Sequence, residues 1–323
     1  MEATDRALLN EIQQRFPLEA RPYAALAQRL SLSEEEVLAR LLNLKREGIL
    51  RQISAIFNPA ALGYQTTLVA AAVSEEKLSQ AAETINSYPG VSHNYLRDHF
   101  FNLWFTIAVP PGEDLKETVA NLLARAGVEK YLLLPIRRVF HIAAVYVLGE
   151  DGGESQDLEV KTSFSRVSPP DPRTITLVRL TQEDLPLCPR PFQEIARKAG
   201  LREEEVLSWL KEGLSRGIIR RFAGLIRHTR AGLKGNIMVA WQVPPGRIEE
   251  VGKFLAREKK ITHCYERKSY PEWPYNLYTM VHARDETEAR KTVADLATRL
   301  EIPAYLPLKT VKELKKIRLK LFW

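Results

Sequence analysis

Residues 30–41, LSLSEEEVLARL, return at 199–210 as AGLREEEVLSWL, with EEEVL unchanged after 169 positions. The match extends outward at the same offset: PLEARPY (17–23) pairs with PLCPRPF (186–192), and EGILRQ (47–52) with RGIIRR (216–221). Further on, SHNYLR (92–97) matches THCYER (262–267) at an offset of 170, and NLWFTI (102–107) matches NLYTMV (276–281) at 174. The offset grows because the second copy carries an extra SYPEWPY before its Asn-Leu. Collinear self-similarity over whole units marks a duplicated, fused chain.

Within each unit the elements follow from periodicity. Ala7, Leu8, Ile12 and Phe16 are helically spaced, and 23–30 reads as a second short helix. Ser33 is placed to cap a third helix, with Glu34, Glu35 and Glu36 in the first turn where the helix dipole favours acids. Gly48 ends it before a β-type run, ILRQISAIF, which reads as a wing. A strand (66–73), a helix (75–87), two strands (92–97 and 102–109), a helix (113–125) and a last strand (138–147) follow. That is the ferredoxin-like βαββαβ order. The fold class is therefore α+β, two tandem copies of a winged helix-turn-helix plus a ferredoxin-like domain. EDGGESQD and SRVSPPDP, rich in Gly, Ser, Pro and acids, read as a linker. The expected boundaries are 1–60 and 61–150 for the first copy, 151–172 for the linker, and 173–229 and 230–323 for the second copy.

The chain has 323 residues, 45% hydrophobic and 27% charged, an ordinary globular composition. No apolar run approaches the ~18 residues that span a bilayer, and the acidic, amphipathic start is unlike a signal peptide. Two cysteines, Cys188 and Cys264, exclude a disulfide framework and a multi-cysteine zinc site. A cytoplasmic protein without membrane contact is expected. The net charge of +7 is uneven: 15 Lys/Arg face 21 Asp/Glu up to residue 160, and 32 face 19 thereafter. The basic half points to an anionic ligand or surface, unless its charges are merely solvated.

A winged helix suggests DNA, but a groove-reading helix presents donors and basic groups near its N-terminus. Here Glu34–Glu36 and Glu203–Glu205 stand there instead, and acids repel phosphates. A helix-turn-helix kept as packing scaffold is the better reading, and no DNA partner is expected. No Gly-rich phosphate loop and no G-x-S-x-G elbow is present. None of the six histidines has metal-ligand spacing, so no metal site is expected.

Two polar clusters remain. RRFAGLIRHTRAGLKG (220–235) carries Arg220, Arg221, Arg227, His228, Arg230 and Lys234, where the first copy keeps only Arg51. Arginine's planar fork suits carboxylates. On a strand Arg221 and Arg227 would share a face, with His228 at the loop; an exposed basic loop is the plain alternative. The second cluster is a repeated H-x-Y-x-R followed by Asn-Leu. His263, Tyr265 and Arg267, like His93, Tyr95 and Arg97, share one face of a strand. Such a set is costly in a core and suggests a polar ligand on the sheet, although each histidine could be structural. Trp273 and Tyr275 could wall a flat ligand or simply pack a hairpin.

These residues resemble the siroheme decarboxylases, a branch of the Lrp/AsnC-type winged-helix proteins. The first copy resembles the A-type subunit through RPYAALAQRL, YPGVSHNYLRDH and NLWFTIAVP. The second resembles the B-type subunit through RRFAGLIRHTRAG, VAWQVP and THCYERKSYPEWPYNLYTMVH. The resemblance implies loss of CO2 from the C12 and C18 acetates of siroheme, giving 12,18-didecarboxysiroheme in haem or nitrite-reductase haem biosynthesis. It implies no organic cofactor, the iron tetrapyrrole being substrate. The repeat itself points to an internal pseudo-dimer, because fused copies of a homodimeric unit tend to retain the dimer interface, with further self-association left open.

Decarboxylation leaves carbanion character at a methylene, so a proton donor is needed, which suits histidine. His228 and His263 are the expected catalytic pair, one donating the proton and the other orienting an acetate or the iron. Arg220, Arg221, Arg227, Arg230, Lys234, Tyr265, Arg267, Trp273, Tyr275 and Asn276 are expected to bind substrate. His93, Tyr95, Arg97 and His99 are the reserve set if the first copy forms the opposite wall. The alternatives are a haem- or effector-sensing regulator, separable by salt-dependent DNA binding, and a non-catalytic tetrapyrrole carrier.

Overall fold

A computed structural model of the chain describes residues 2–147, 154–157, 170–226 and 235–323. The first copy runs α1 (Ala3–Gln14), α2 (Pro22–Leu30), α3 (Glu34–Arg46), β1 (Leu50–Phe57), β2 (Gln65–Ala72), α4 (Leu78–Ser87), β3 (Val91–Arg97), β4 (Leu103–Val109), α5 (Leu115–Arg125), β5 (Lys130–Leu134) and β6 (Ile136–Val147). A short β7 (Glu154–Asp157) precedes the second copy. That copy runs α6 (Pro172–Thr181), α7 (Pro191–Ala199), α8 (Glu203–Ser215), β8 (Ile219–Ile226), β9 (Gly235–Trp241), α9 (Ile248–Ala256), β10 (Ile261–Arg267), β11 (Leu277–Ala283), α10 (Glu286–Leu300) and β12 (Tyr305–Lys316).

Local chemistry accounts for the starts and stops. Pro22 and Pro191 open α2 and α7, where a missing N–H costs nothing. Ser33 Oγ accepts from Glu36 N at 3.1 Å, and Asp114 and Asp285 cap α5 and α10 in the same way. Asp171, assigned to the linker from composition, caps α6 instead. The acids leading α3 and α8 are partly consumed internally: Glu34 pairs with Arg21, and Glu203 with Arg190, 169 positions on. This repeated pairing ties each third helix to the start of the one before it.

The β-run after each helical unit is not a wing of its own. β1 pairs antiparallel with β8, Ser54 opposite Ala223, so the two helix-turn-helix units share one ribbon and one apolar core. The approach is close: a Cβ on Gly224 would lie 2.6 Å from Ile12 Cδ1.

The last strands depart further from expectation. The first copy's final strand begins at Lys130, and it serves two sheets. β5 pairs with β2 of its own copy, whereas β6, one residue later, pairs with β10 of the other copy. β12 does the same without a break, Tyr305–Lys309 along β9 and Thr310–Lys316 along β3. Among the described residues the strand order is β5-β2-β4-β3-β12-β9-β11-β10-β6-β7. Because β5 and β6 are separated only by Pro135, the two four-stranded units are linked at both edges. Helices cover the outer faces, where the first copy's core is built on α4 and α5 and the second's on α9 and α10. The exchange carries side chains with it, Phe140 packing on the second copy's core and Leu314 on the first's. The pseudo-dimer is therefore an interlocked one, as fused copies of a dimeric unit would retain.

Candidate functional site

Between the linked sheets lies a cavity of about 770 Å3, lined from both copies. That is within the range of sites that enclose sizeable ligands, roughly 300–1,000 Å3. His93, Tyr95 and Arg97 reach it from β3, and His263, Tyr265 and Arg267 from β10. The two H-x-Y-x-R repeats thus meet at one site. Their internal geometry is also repeated: histidine and tyrosine ring centres are 6.2 Å apart in the first copy and 5.8 Å in the second. The guanidinium lies 5.4 Å and 5.2 Å from the tyrosine ring centre, respectively.

Each arginine also fastens a crossing strand. Arg97 Nη1 donates to Leu308 O at 2.8 Å and to Thr310 Oγ1 at 3.1 Å, and Arg267 Nη1 donates to Leu134 O at 2.7 Å. The Nε of both is buried without a partner. Burial pulls the pKa of Arg97 down to about 10, so it still carries its charge at neutral pH.

The histidines are held by a hydroxyl one position earlier. Ser92 Oγ lies 2.9 Å from His93 Nδ1, and Thr262 Oγ1 lies 2.9 Å from His263 Nδ1. Anchoring Nδ1 leaves Nε2 as the free ring nitrogen of each histidine. In the second copy Thr262 Oγ1 also meets His282 Nε2 at 2.7 Å. Burial, then the charges of His282, His141, His93 and Arg267, pushes His263 down to about 4. Burial and Lys316 lower His93 and His282, Glu313 opposing this at His93. Tyr265 is pushed up to about 12 by burial.

The halves differ in what the crossing strand brings. Opposite Arg97, Tyr95 and His93 stand Thr310, Glu313 and Lys316 of β12. Opposite Arg267, Tyr265 and His263 stand Ile136, Val139 and Ile142 of β6. Lys309, Lys316, Glu286 and Glu313 also line the cavity.

The AsnC-like ligand binding domain family matches residues 61–141 and 230–315. The siroheme decarboxylase NirDL-like HTH domain family matches 5–51 and 175–220. A siroheme decarboxylase of Hydrogenobacter thermophilus is 37% identical over 317 residues, 98% of this chain and 94% of the relative. The chain belongs to the siroheme decarboxylases. The crystal structure of the siroheme decarboxylase NirDL superposes with a TM-score of 0.82 at 33% identity, over 99% of this chain and 94% of that one. NirDL in co-complex with an iron-uroporphyrin III analogue gives 0.80 at 34%, over 98% and 93%. Because the match to siroheme decarboxylases spans helical units and sheets alike, the regulator alternative is set aside.

The remaining residues expected to serve this siroheme decarboxylase fall in several places. Arg227, His228, Arg230 and Lys234 lie outside the described residues. Arg220 sits on β8, near enough to Tyr265 for its charge to act against the effect of burial there. Arg221 lies near enough to Arg318 for their charges to interact, with Nη1 buried and unpartnered, and neither it nor Arg220 lines the cavity. Trp273 is not among the residues lining the cavity. It is buried against His99, Phe101, Trp104 and Tyr275, with Nε1 donating to Tyr278 Oη, so the insert packs the space between sheets. Tyr275 belongs to the same packing cluster. Asn276 makes a structural clamp, Nδ2 donating to Val243 O at 2.7 Å and Oδ1 accepting from Val243 N at 3.0 Å. Asn102 clamps Val73 identically, which explains the repeated Asn-Leu without a ligand. His99 Nδ1 accepts from Phe101 N in a turn and is likewise absent from the cavity wall.

Sequence reasoning missed Ser92, Thr262, His282 and the charged residues of β12. A signal existed for the first two, since a hydroxyl residue precedes the histidine in both copies. His282 has no such repeat, because Ala108 stands at the matching position.

Proposed function

We propose that the chain removes CO2 from the C12 and C18 acetates of siroheme, giving 12,18-didecarboxysiroheme for haem or nitrite-reductase haem synthesis. The observation that carries this reading is the convergence of both H-x-Y-x-R repeats on one cavity. A macrocycle with eight carboxylates needs cations around it, and Arg97, Arg267, Lys309 and Lys316 line this cavity. No organic cofactor enters the reading; the iron tetrapyrrole is the substrate.

In the proposed reaction the C–CO2 bond breaks and its electron pair stays on the methylene carbon. His263, with Nδ1 held by Thr262, delivers a proton from Nε2 to complete the methyl group. His93 lines the same cavity from the other copy and is kept as the reserve donor. His228 keeps its place as a candidate on sequence alone. The basic groups retain the carboxylates that are not lost, and enclosure excludes water from the carbanion.

The test is anaerobic incubation with siroheme and mass measurement of the product. Loss of two carboxyl units is expected from the native chain. His263→Ala and His93→Ala should each lower turnover by about 10²-fold or more while an iron octacarboxylate porphyrin still binds. A double variant that decarboxylates at the native rate would refute the assignment.

A further inference from the structure

Each acetate lost as CO2 consumes one proton, which must reach the carbon while the substrate fills the cavity and shuts out water. His263 is poorly suited to store that proton, being enclosed among His93, His141, His282 and Arg267. The structure supplies a route instead. Thr262 Oγ1 lies between two imidazoles, 2.9 Å from His263 Nδ1 and 2.7 Å from His282 Nε2. A hydroxyl has one proton, so it can donate to one of these nitrogens only while it accepts from the other. The contact is therefore directional.

We propose that His282 and Thr262 form a proton relay that recharges His263 during decarboxylation, a role that rests on the function proposed above. His282, as imidazolium, passes its Nε2 proton to Thr262 Oγ1; the threonine hydroxyl proton moves to His263 Nδ1; the His263 Nε2 proton goes to the nascent methylene carbanion. One proton enters at His282 and one leaves on carbon, so charge and atoms balance. Each decarboxylation uses one charge of the relay, so after each one the tetrapyrrole leaves or turns, and water in the opened cavity reprotonates His282 and restores the starting tautomers. His282 and His263 are both partly buried and both line the cavity, so the relay is loaded at His282 before substrate is seated.

The first copy has the hydroxyl without the second imidazole. Ser92 holds His93 Nδ1, but Ala108 occupies the place of His282. Proton delivery thus belongs to the second copy's half, while the first copy's half receives Lys316 and Glu313 from β12. Lys316 acts on His282 and His93, and Glu286 and Glu313 line the same cavity, so these charges set the pH at which the relay loads.

Thr262→Val keeps the shape and removes the bridge, and Thr262→Ser restores it. With siroheme under anaerobic conditions, Thr262→Val should lower kcat by about 10²-fold with KM unchanged within about twofold, and Thr262→Ser should recover most of the loss. His282→Gln should lower kcat comparably and abolish the limb along which native kcat falls as His282 loses its proton with rising pH. Native kcat in Thr262→Val, or a loss carried by KM alone, would overturn the relay. If His263→Ala is inactive while Thr262→Val is not, the relay falls and the proton-donor role of His263 stands. If the native chain releases no CO2 from siroheme, both fall.

Discussion

Asn276→Ala separates a structural clamp from a ligand contact, and the structure sets its size. The Asn276 amide satisfies both the N–H and the C=O of Val243, a residue only 2% exposed. Truncation leaves two backbone groups of Val243 without partners just past the end of β9. Each such group costs ~1–3 kcal/mol, and some water access at the strand end moderates the sum, so a loss of about 2–4 kcal/mol is expected. At ~2 °C per kcal/mol for a chain of this size, the melting midpoint should fall by about 4–8 °C. Asn102→Ala, which frees Val73 in the same way, should cost a similar amount, and the two losses should add because the clamps stand in different copies. The assay is urea and thermal unfolding of the full chain, alongside Kd for an iron octacarboxylate porphyrin at a temperature where both variants are folded. Native Kd with reduced stability is expected. Native stability with a tenfold weaker Kd would show that Asn276 reads the ligand and that the clamp argument is wrong.

Three further outcomes follow from the same geometry. His263 is held near 4 by burial against about 6.5 when unfolded, so as pH falls through that interval the unfolded chain takes up a proton the native chain refuses. Stability should therefore drop by up to ~3 kcal/mol between pH 6.5 and 4, and His263→Gln should flatten that slope; an unchanged slope would place the titration elsewhere. Cleavage near residue 155 should leave a 1:1 complex in sedimentation, because β1–β8, β3–β12 and β10–β6 all pair across the copies; two independent monomers would contradict the interlocked fold. Gly252→Ala would set a Cβ 2.5 Å from the Phe140 ring and should cost ~1–3 kcal/mol, and Phe140→Leu should recover part of it by freeing that space; no loss in the single variant would refute the contact.

Much of this was legible in the residues alone. Collinear repeats establish duplication without any coordinates, and helix caps such as Ser33 and Asp285 are local chemistry that the chain states directly. The period of two in a strand placed His263, Tyr265 and Arg267 on one face, and they do line one cavity. Strand periodicity names a face but not the partner across it. Only the tertiary structure could decide that β1 seeks β8 and that each last strand divides between two sheets, since those pairings join residues more than a hundred positions apart. The same exchange brings the two motifs together at one cavity. It also gives structural partners to residues whose type suggested ligand contacts. Asn276, Trp273 and His99 are polar or aromatic like ligand contacts, but backbone groups and neighbouring rings already satisfy them. His282 gains its place only because β11 lies beside β10 and brings its imidazole to the hydroxyl of Thr262.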